Sequence, residues 1–508
     1  MYKGIIYRSV LIITLVFSSS CGKYLTLYPQ NGTIRQEFWQ NKEQLQSAII
    51  GVYSSLIQGT PGKSGDRQMA DWMFRWGELR ADNITTSLAS PNADDVFMIN
   101  GNVLATNSGV QWYSFYRTIN LCNTVLKYAP DVISSDPTLT QAQLNSYLAE
   151  ALTIRAMMYF YLVKTFGDVP LKLKPTSTDA DLEQLAKTPQ ATILTQILTD
   201  LNTAEQSAVF TYGNTASNKG RITKYAVNAL QAEVYLYKYD YANCIIACEK
   251  IRNSGQFGLV KGDGNFFNAV YSNGNSSESI FEFQYDGSTT QVNPFYPMFN
   301  LSTGGSFAAQ INVRGTLFPV DVNDDSNVDV RAAIAANGGS GAIAKWIGTP
   351  NSNAILSATT TFRHWIIYRY AEILLFEAEA YAYTPGKGQA ALDLVKLIQN
   401  RANNIYDPLL SMPVPDPNDA NAVGLYVLDE RNREFIYEGK RWYDLVRYAK
   451  RDFPNTSNIL TDALAINASA ALQQILISKY KDPNAYYLPI YYNEIVLDPN
   501  LVQNPYYK

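Results

Sequence analysis

The chain has 508 residues, of which 17% are charged, with a net charge of −4 and one histidine. That length requires more than one hydrophobic core or a repeat array. The charged fraction is below the ~25% usual for soluble proteins and no basic run stands out, so nucleic acid is an unsuitable partner.

In chain order, residues 1–20 form a secretory signal peptide. Lys3 and Arg8 supply positive charge, 11–17 an apolar stretch too short to span a bilayer, and Ser18, Ser19 and Ser20 small residues before Cys21. A cysteine directly after small residues reads as a lipoprotein acceptor. Cleavage before Cys21 leaves its thiol for lipidation and anchors the chain to a membrane without spanning it. Ordinary secretion with an incidental cysteine is the alternative. Cys122, Cys244 and Cys248 are an odd remainder, give no disulfide framework and read as buried thiols.

The mature chain starts extended over 24–32. A helix is predicted over 38–57 from Leu45, Ile49, Val52 and Leu56. Gly62-Lys63-Ser64 lacks the leading glycine and the strand of a phosphate loop. The stretch 66–90 carries Trp72, Phe74 and Trp76 among Arg75, Glu78, Arg80, Asp82 and Asn83, and 91–108 is an Asn/Gly-rich loop. Helices are predicted over 112–128, 141–166 and 188–208. The second has an apolar stripe of Leu148, Leu152, Ala156, Tyr159, Val163 and Phe166.

Two helix pairs follow, 223–239 with 241–253 and 366–383 with 388–403. Each first helix contains Ala-Glu-x-Tyr (Ala232 to Tyr235, Ala378 to Tyr381), a weak repeat at about the ~34-residue tetratricopeptide length. Between the pairs, 254–361 is rich in Gly, Asn, Ser and Pro, with a strand at 280–285 and an aromatic loop at 293–300. A loop region of that length inside a compact protein marks function. Asp321-x-Asn323-x-Asp325 resembles the start of a calcium loop. It has Ser326 and Ala332 where glycine and glutamate belong, so calcium stays an alternative and no metal or cofactor is assigned. His364, alone beside Trp365, reads as structural, and it excludes a histidine-based metal site or triad.

The segment 429–450 is the densest run of charge. Opposite charges recur three apart: Glu430 with Arg433, Arg431 with Glu434, Glu438 with Arg441, Asp444 with Arg447. Gly439 ends one helix and starts another at a set angle. The compensated charges make this segment a structural clasp. A helix near 467–480, an extended stretch at 486–490 and a tail lying along the helical array complete the chain.

The order Glu430-Arg431-x-Arg433-Glu434-Phe435-x-x-Glu438-Gly439-x-Arg441-x-x-Asp444-Leu445-x-Arg447 resembles the C-terminal signature of the SusD/RagB family of outer-membrane nutrient-binding lipoproteins of Bacteroidetes. Glu78-Leu79-Arg80-Ala81-Asp82-Asn83, Trp112 with Tyr116, Ile119, Asn120 and Asn123, Asp329-Val330-Arg331 and Gln503-Asn504-Pro505 are also similar to family elements. The resemblance implies a mainly α fold, a right-handed superhelix of tetratricopeptide-like pairs. Helical parts then occupy about 36–253 and 362–480 of a 21–508 domain, with the loop-rich insertion at about 254–361. It also implies an outer-membrane, lipid-anchored protein facing the cell exterior. Its ligand is an oligosaccharide, and its partner a SusC-like TonB-dependent transporter.

A sugar ring stacks an apolar face on aromatic rings while its hydroxyls need amide and arginine partners. Candidate walls are Arg67, Trp72 and Trp76 with Phe295, Tyr296 and Phe299, completed by Asn83, Phe97 and Asn100. A peptide is the alternative ligand, and a helical-repeat adaptor for proteins a further alternative. A glycoside hydrolase using Glu78 and Asp82 has no supporting strand series. The expectation is a binding protein, not an enzyme.

Overall fold

Capping residues and apolar spacing place the helices. α1 (Lys42–Ile57) starts at Asn41, whose side chain accepts the Gln44 N–H, and buries Leu45, Ile49, Val52 and Leu56. α2 (Met69–Glu78), β1 (Ile84–Thr86) and α3 (Ala93–Ile99), capped by Asn92, come next. α4 (Tyr113–Ser135) is followed by α5 (Gln141–Phe166). Thr140 and Gln143 close a capping box at the start of α5, and Gly167, at φ +76°, ends it where predicted. Then come α6 (Gln190–Ser207), α7 (Thr215–Gly220), α8 (Lys224–Tyr237) and α9 (Tyr241–Arg252).

The insertion contributes β2 (Ser279–Phe283), α10 (Phe295–Phe299) and β3 (Phe307–Ala309). After it come β4 (Trp365–Arg369), α11 (Tyr370–Ala382), α12 (Gly388–Arg401), α13 (Ala420–Phe435), α14 (Arg441–Arg451), α15 (Asn458–Ala465) and α16 (Ala470–Lys479).

This computed structural model describes residues 38–59, 66–87, 91–286, 291–311, 313–319, 328–335, 341–349, 354–357, 361–402, 413–466 and 468–508. The signal peptide, Cys21, the 24–32 stretch, the 62–64 triplet and Asp321-x-Asn323-x-Asp325 lie outside those residues.

The helices stack in series. α1 packs on α4, α4 on α5, α5 on α6, α6 on α8, α8 on α9, α9 on α11, and α11 on α12 and α13. The direct contact of α9 with α11 bypasses the whole insertion, so the two predicted helix pairs are spatial neighbours in one array. Each pair therefore buries a face that it could not bury alone. Cys122, Cys244 and Cys248 are free thiols inside this core. The C-terminal tail is held along the array: Asn504 donates to the Phe166 carbonyl at 3.0 Å, and Gln503 exchanges two hydrogen bonds with the Ile490 backbone.

The sequence reading departs from the structure at the start of the second pair. Residues 365–369 are a strand, not the first turns of a helix. Trp365-Ile366-Ile367-Tyr368 is a β-branched and aromatic run, and it pairs antiparallel with β2, Phe283 opposite Trp365 and Glu282 opposite Ile366. The predicted aromatic loop at 293–300 contains a short helix, α10, whose first turn begins where Asn293 accepts the Phe295 N–H.

The 429–450 segment is a helix–turn–helix, α13 to α14, turned at Gly439 with φ +73°. A Cβ on Gly77 of α2 would lie 1.8 Å from the Gly439 carbonyl oxygen, so two glycines let these backbones touch. Of the four expected local pairs, Glu430–Arg433 and Asp444–Arg447 form, each at 2.8 Å. The others reach further. Glu434 meets Arg331, Arg369 and Arg401; Glu438 meets Arg369 and Lys345; Arg431 meets Asp444 and Glu372; Arg441 forks onto Asp82. The Asp329-Val330-Arg331 element serves the same cluster, Asp329 orienting Arg331 toward Glu430. All these groups are buried except Arg433 and Asp82, which are half-buried, so the clasp ties insertion, α12 and α13 together by opposed charges. Burial alone would raise the Glu438 carboxyl, but Arg369 and Lys345 beside it hold it down to about 2.

Candidate functional site

The structure brings the N-terminal α2–α4 region and the insertion together around Arg67. Its guanidinium donates to the Ser108 carbonyl at 3.1 Å and lies 5.0 Å over the Trp72 ring. Asp71 pairs with Arg67 at 3.6 Å and with Arg75 at 2.6 Å, and Arg75 also contacts Asp95 on α3. Asp94, one residue earlier, accepts the Ser108 N–H at 3.0 Å. Burial raises the Asp95 carboxyl, while Arg75 and Arg67 pull it down. Phe97 follows Asp94 by three residues, hence on the same side of α3, and is 39% exposed. Gln68 reaches the insertion by donating to the Val292 carbonyl at 2.7 Å. The result is a polar rim, Arg67, Asp94 and Ser108, with exposed Phe97 and Val292 on either side.

Beneath the rim, hydrogen-bonding capacity is left over. Gln68 Oε1, Trp72 Nε1 and Tyr285 OH are buried and have no partner among the described residues. Tyr285 lies close enough to Asp71 for that carboxylate to help raise its phenol, after burial.

The expected aromatic walls are placed otherwise. Trp72 (1% exposed), Trp76 (0%), Phe295 (0%) and Phe299 (0%) are core residues and present no ring face to solvent. Trp76 stacks on Phe115 at 4.5 Å and donates its indole N–H to the Gly109 carbonyl. Phe295 packs on Trp346 at 4.7 Å and Trp365 at 5.7 Å, and Phe299 on Phe74 at 5.1 Å. Large aromatics gain most by burial, and the loop-rich insertion has few aliphatic side chains with which to build a core. Asn83 is also buried, donating to Asn432 at 2.8 Å.

Tyr296, half-buried on α10, shares the insertion segment of Val292. Asn100, half-buried, caps the end of α3 three residues beyond Phe97, and the next residue, Gly101, accepts from Lys479 on α16 through its carbonyl. Sequence reasoning missed Asp71, Asp94 and Ser108. Asp71 stood beside the aromatic run of 66–90, and Asp94 and Ser108 lay in 91–108, which was read as loop and in fact contains α3.

The carboxylates considered for hydrolysis are occupied. Glu78, fully buried, accepts the Gly439 and Lys440 backbone N–H groups, and burial raises it to about 8 despite these bonds. Asp82 forks onto Arg441 at 2.8 and 2.9 Å. His364 pairs with Glu282 at 2.7 Å and packs over Gly274, a structural placement as expected. Among the described residues no cluster suits a metal ion, and no helix is long and apolar enough to cross a membrane.

A stacked helical array carrying a loop-rich insertion defines a scaffold of the helical-repeat class. Comparison with known proteins specifies it. Residues 313–507 match the SusD family, and 23–236 match the family described as "Starch-binding associating with outer membrane". The chain belongs to the SusD/RagB family.

It is 26% identical over 493 residues to SusD-like protein P38 of Formosa agariphila, covering 88% of this chain and 92% of that protein. Its fold is similar to that of a SusD superfamily protein from Bacteroides vulgatus (TM-score 0.73, 22% identity, 92% of this chain and 100% of that one). It is also similar to surface glycan-binding protein A from Bacteroides thetaiotaomicron, solved in complex with laminarihexaose (TM-score 0.68, 21% identity, 91% and 99% covered). The fold is mainly helical and tetratricopeptide-like, as the resemblance implied.

Proposed function

We propose that this protein is a cell-surface lipoprotein, anchored through Cys21, that binds an oligosaccharide at the Arg67–Phe97 rim. It hands that glycan to a TonB-dependent outer-membrane transporter. The observation that carries the reading is the rim itself. A partly exposed guanidinium, an Asp94–Ser108 pair and the exposed Phe97 ring belong to one surface. These are the elements that a sugar's apolar face and hydroxyls require. The glycan-bound relative of the same fold and the family description point the same way. The Ser18–Cys21 sequence and the family description's outer-membrane association support the lipid anchor, and the transporter is what the family resemblance implies.

Calorimetric titration of the mature chain with a panel of plant, host and microbial oligosaccharides and of peptides tests this. The expected result is saturable glycan binding without product release, weakened about tenfold or more by Arg67→Ala with Phe97→Ala at an unchanged unfolding temperature. Released product, or binding confined to peptides, contradicts it.

A further inference from the structure

A second concave surface shares no residue with the rim. The 208–223 connection with α7, the first turn of α8, the segment after α9 and the turn before β2 enclose a groove of about 480 Å³. That volume is within the ~300–1,000 Å³ range of ligand sites. Three rings line it in a row. Phe210 and Tyr225 have centroids 5.5 Å apart, and Tyr225 and Phe257 5.2 Å apart, edge to face. Phe210 is 57% exposed, an unusual position for a large apolar ring in a chain that buries most of its aromatics.

Between the rings stand the side-chain amides of Asn218, Gln256 and Asn275 and several hydroxyls. Two lysines reach the rings: Lys219 donates to the Ser279 carbonyl at 2.5 Å and lies 4.4 Å over Phe257, burial lowering its ammonium to about 8, and Lys224 lies 4.7 Å from the centre of the Phe210 ring, leaving the other face of that ring for a ligand. No carboxylate lines the groove among the described residues. The site therefore lacks the acid pair that hydrolysis of a glycosidic bond needs.

The groove is held rigidly. Asn214 caps α7, and Gln284 bridges from the Ala216 carbonyl at 2.9 Å to Asn275 at 2.7 Å. A Cβ on Gly220 would meet the Gln284 amide at 2.8 Å, so glycine lets α7 and the insertion close on each other.

We infer that this groove is a second carbohydrate site, taking a segment of a neutral oligosaccharide. Sugar C–H faces lie on Phe210 and Tyr225, and amides and hydroxyls meet the ring hydroxyls. Uncharged amides both donate and accept, which matches hydroxyls better than it matches phosphate or carboxylate groups. Preformed aromatic and amide walls avoid much of the ordering cost of binding. The inference stands on the groove's own chemistry and is independent of the rim.

The test is calorimetry with neutral hexasaccharides of glucose and mannose (maltohexaose, cellohexaose, laminarihexaose, mannohexaose), using the full mature chain carrying Arg67→Ala and Phe97→Ala. The expected result is a remaining saturable isotherm for at least one sugar. Phe210→Ala should weaken it about tenfold, the loss of one stacked ring, and Ser277→Trp should abolish it by filling the groove. Both substitutions are at exposed positions and should leave the unfolding temperature unchanged. Indifference of the remaining isotherm to both groove substitutions overturns the inference. So does its absence, in this background or in the unsubstituted chain, at millimolar sugar. If the rim double variant binds like the parent and the groove variants lose all affinity, the rim assignment fails and the groove stands.

Discussion

The clasp around 429–450 and the open surfaces at the rim and groove are the most polar parts of this protein, and they are built in opposite ways. In the clasp, Glu434 is shared by three arginines and Glu438 by Arg369 and Lys345, all away from solvent. At the rim and groove, amides, hydroxyls and single cations stand beside partly exposed rings, and some buried polar atoms below the rim have no partner among the described residues. Charge density therefore does not mark the proposed binding surface. Glu434 and Glu438 are each held by two or more buried cations, so a ligand there would have to displace a partner already in place. Buried atoms without a partner among the described residues occur in both regions, Arg401 Nε, Arg431 Nη1 and Arg441 Nη1 in the clasp among them, so the accessible Phe97 ring, not leftover bonding capacity, sets the rim apart.

The largest effect expected from breaking this contrast is in the clasp. Glu434→Ala takes one shared carboxylate from Arg331, Arg369 and Arg401, leaving the buried cluster with an uncompensated positive charge although each arginine keeps another acid (Glu430, Glu438 and Glu278 respectively), and should destabilise by about 3–5 kcal/mol, read as a lower denaturation midpoint or loss of soluble protein. An unchanged midpoint would mean that these charges are solvated in solution.

A smaller effect separates two carboxylates of the same region by pH. Glu438, held down to about 2 by its cations, contributes stability above the unfolded value of 4.5 that is lost as pH falls from there toward 2. Glu78 runs the other way. Its folded value near 8 exceeds 4.5, so the folded state holds the extra proton, and its contribution is full below 4.5 and lost as pH rises toward 8. Glu78→Gln should remove a decline on the order of a few kcal/mol between pH 5 and pH 8, measured by denaturant titration at several pH values. A variant whose pH dependence matches the parent would place the Glu78 carboxylate in water.

Much of this architecture was legible in the residues. The apolar stripe and Gly167 marked both ends of α5, Gly439 marked the turn of the clasp, and the order of charges from Glu430 to Arg447 identified the family. Partnerships across long separations were not legible. Helix spacing shows neighbours three and four apart, whereas Arg369 and Glu434 meet only because β4 pairs with β2 and α11 packs on α13. The binding surface was half legible, for a similar reason. The bulkiest aromatics, Trp72, Trp76, Phe295 and Phe299, drew attention as walls and were taken by the core, while Arg67 and Phe97 stay at the surface. Phe210 sits in a short Thr/Asn/Ser-rich connection, Tyr225 in the first turn of α8 and Phe257 beyond α9, and the stacking of α8 and α9 brings them together.

The most direct test of the contrast between buried clasp and open rim is amide hydrogen exchange of the mature chain with and without a glycan that binds it. The account predicts added protection at 66–68, 93–110 and 291–296 and none across 429–450. Protection concentrated in 429–450, with the rim unchanged, would contradict it.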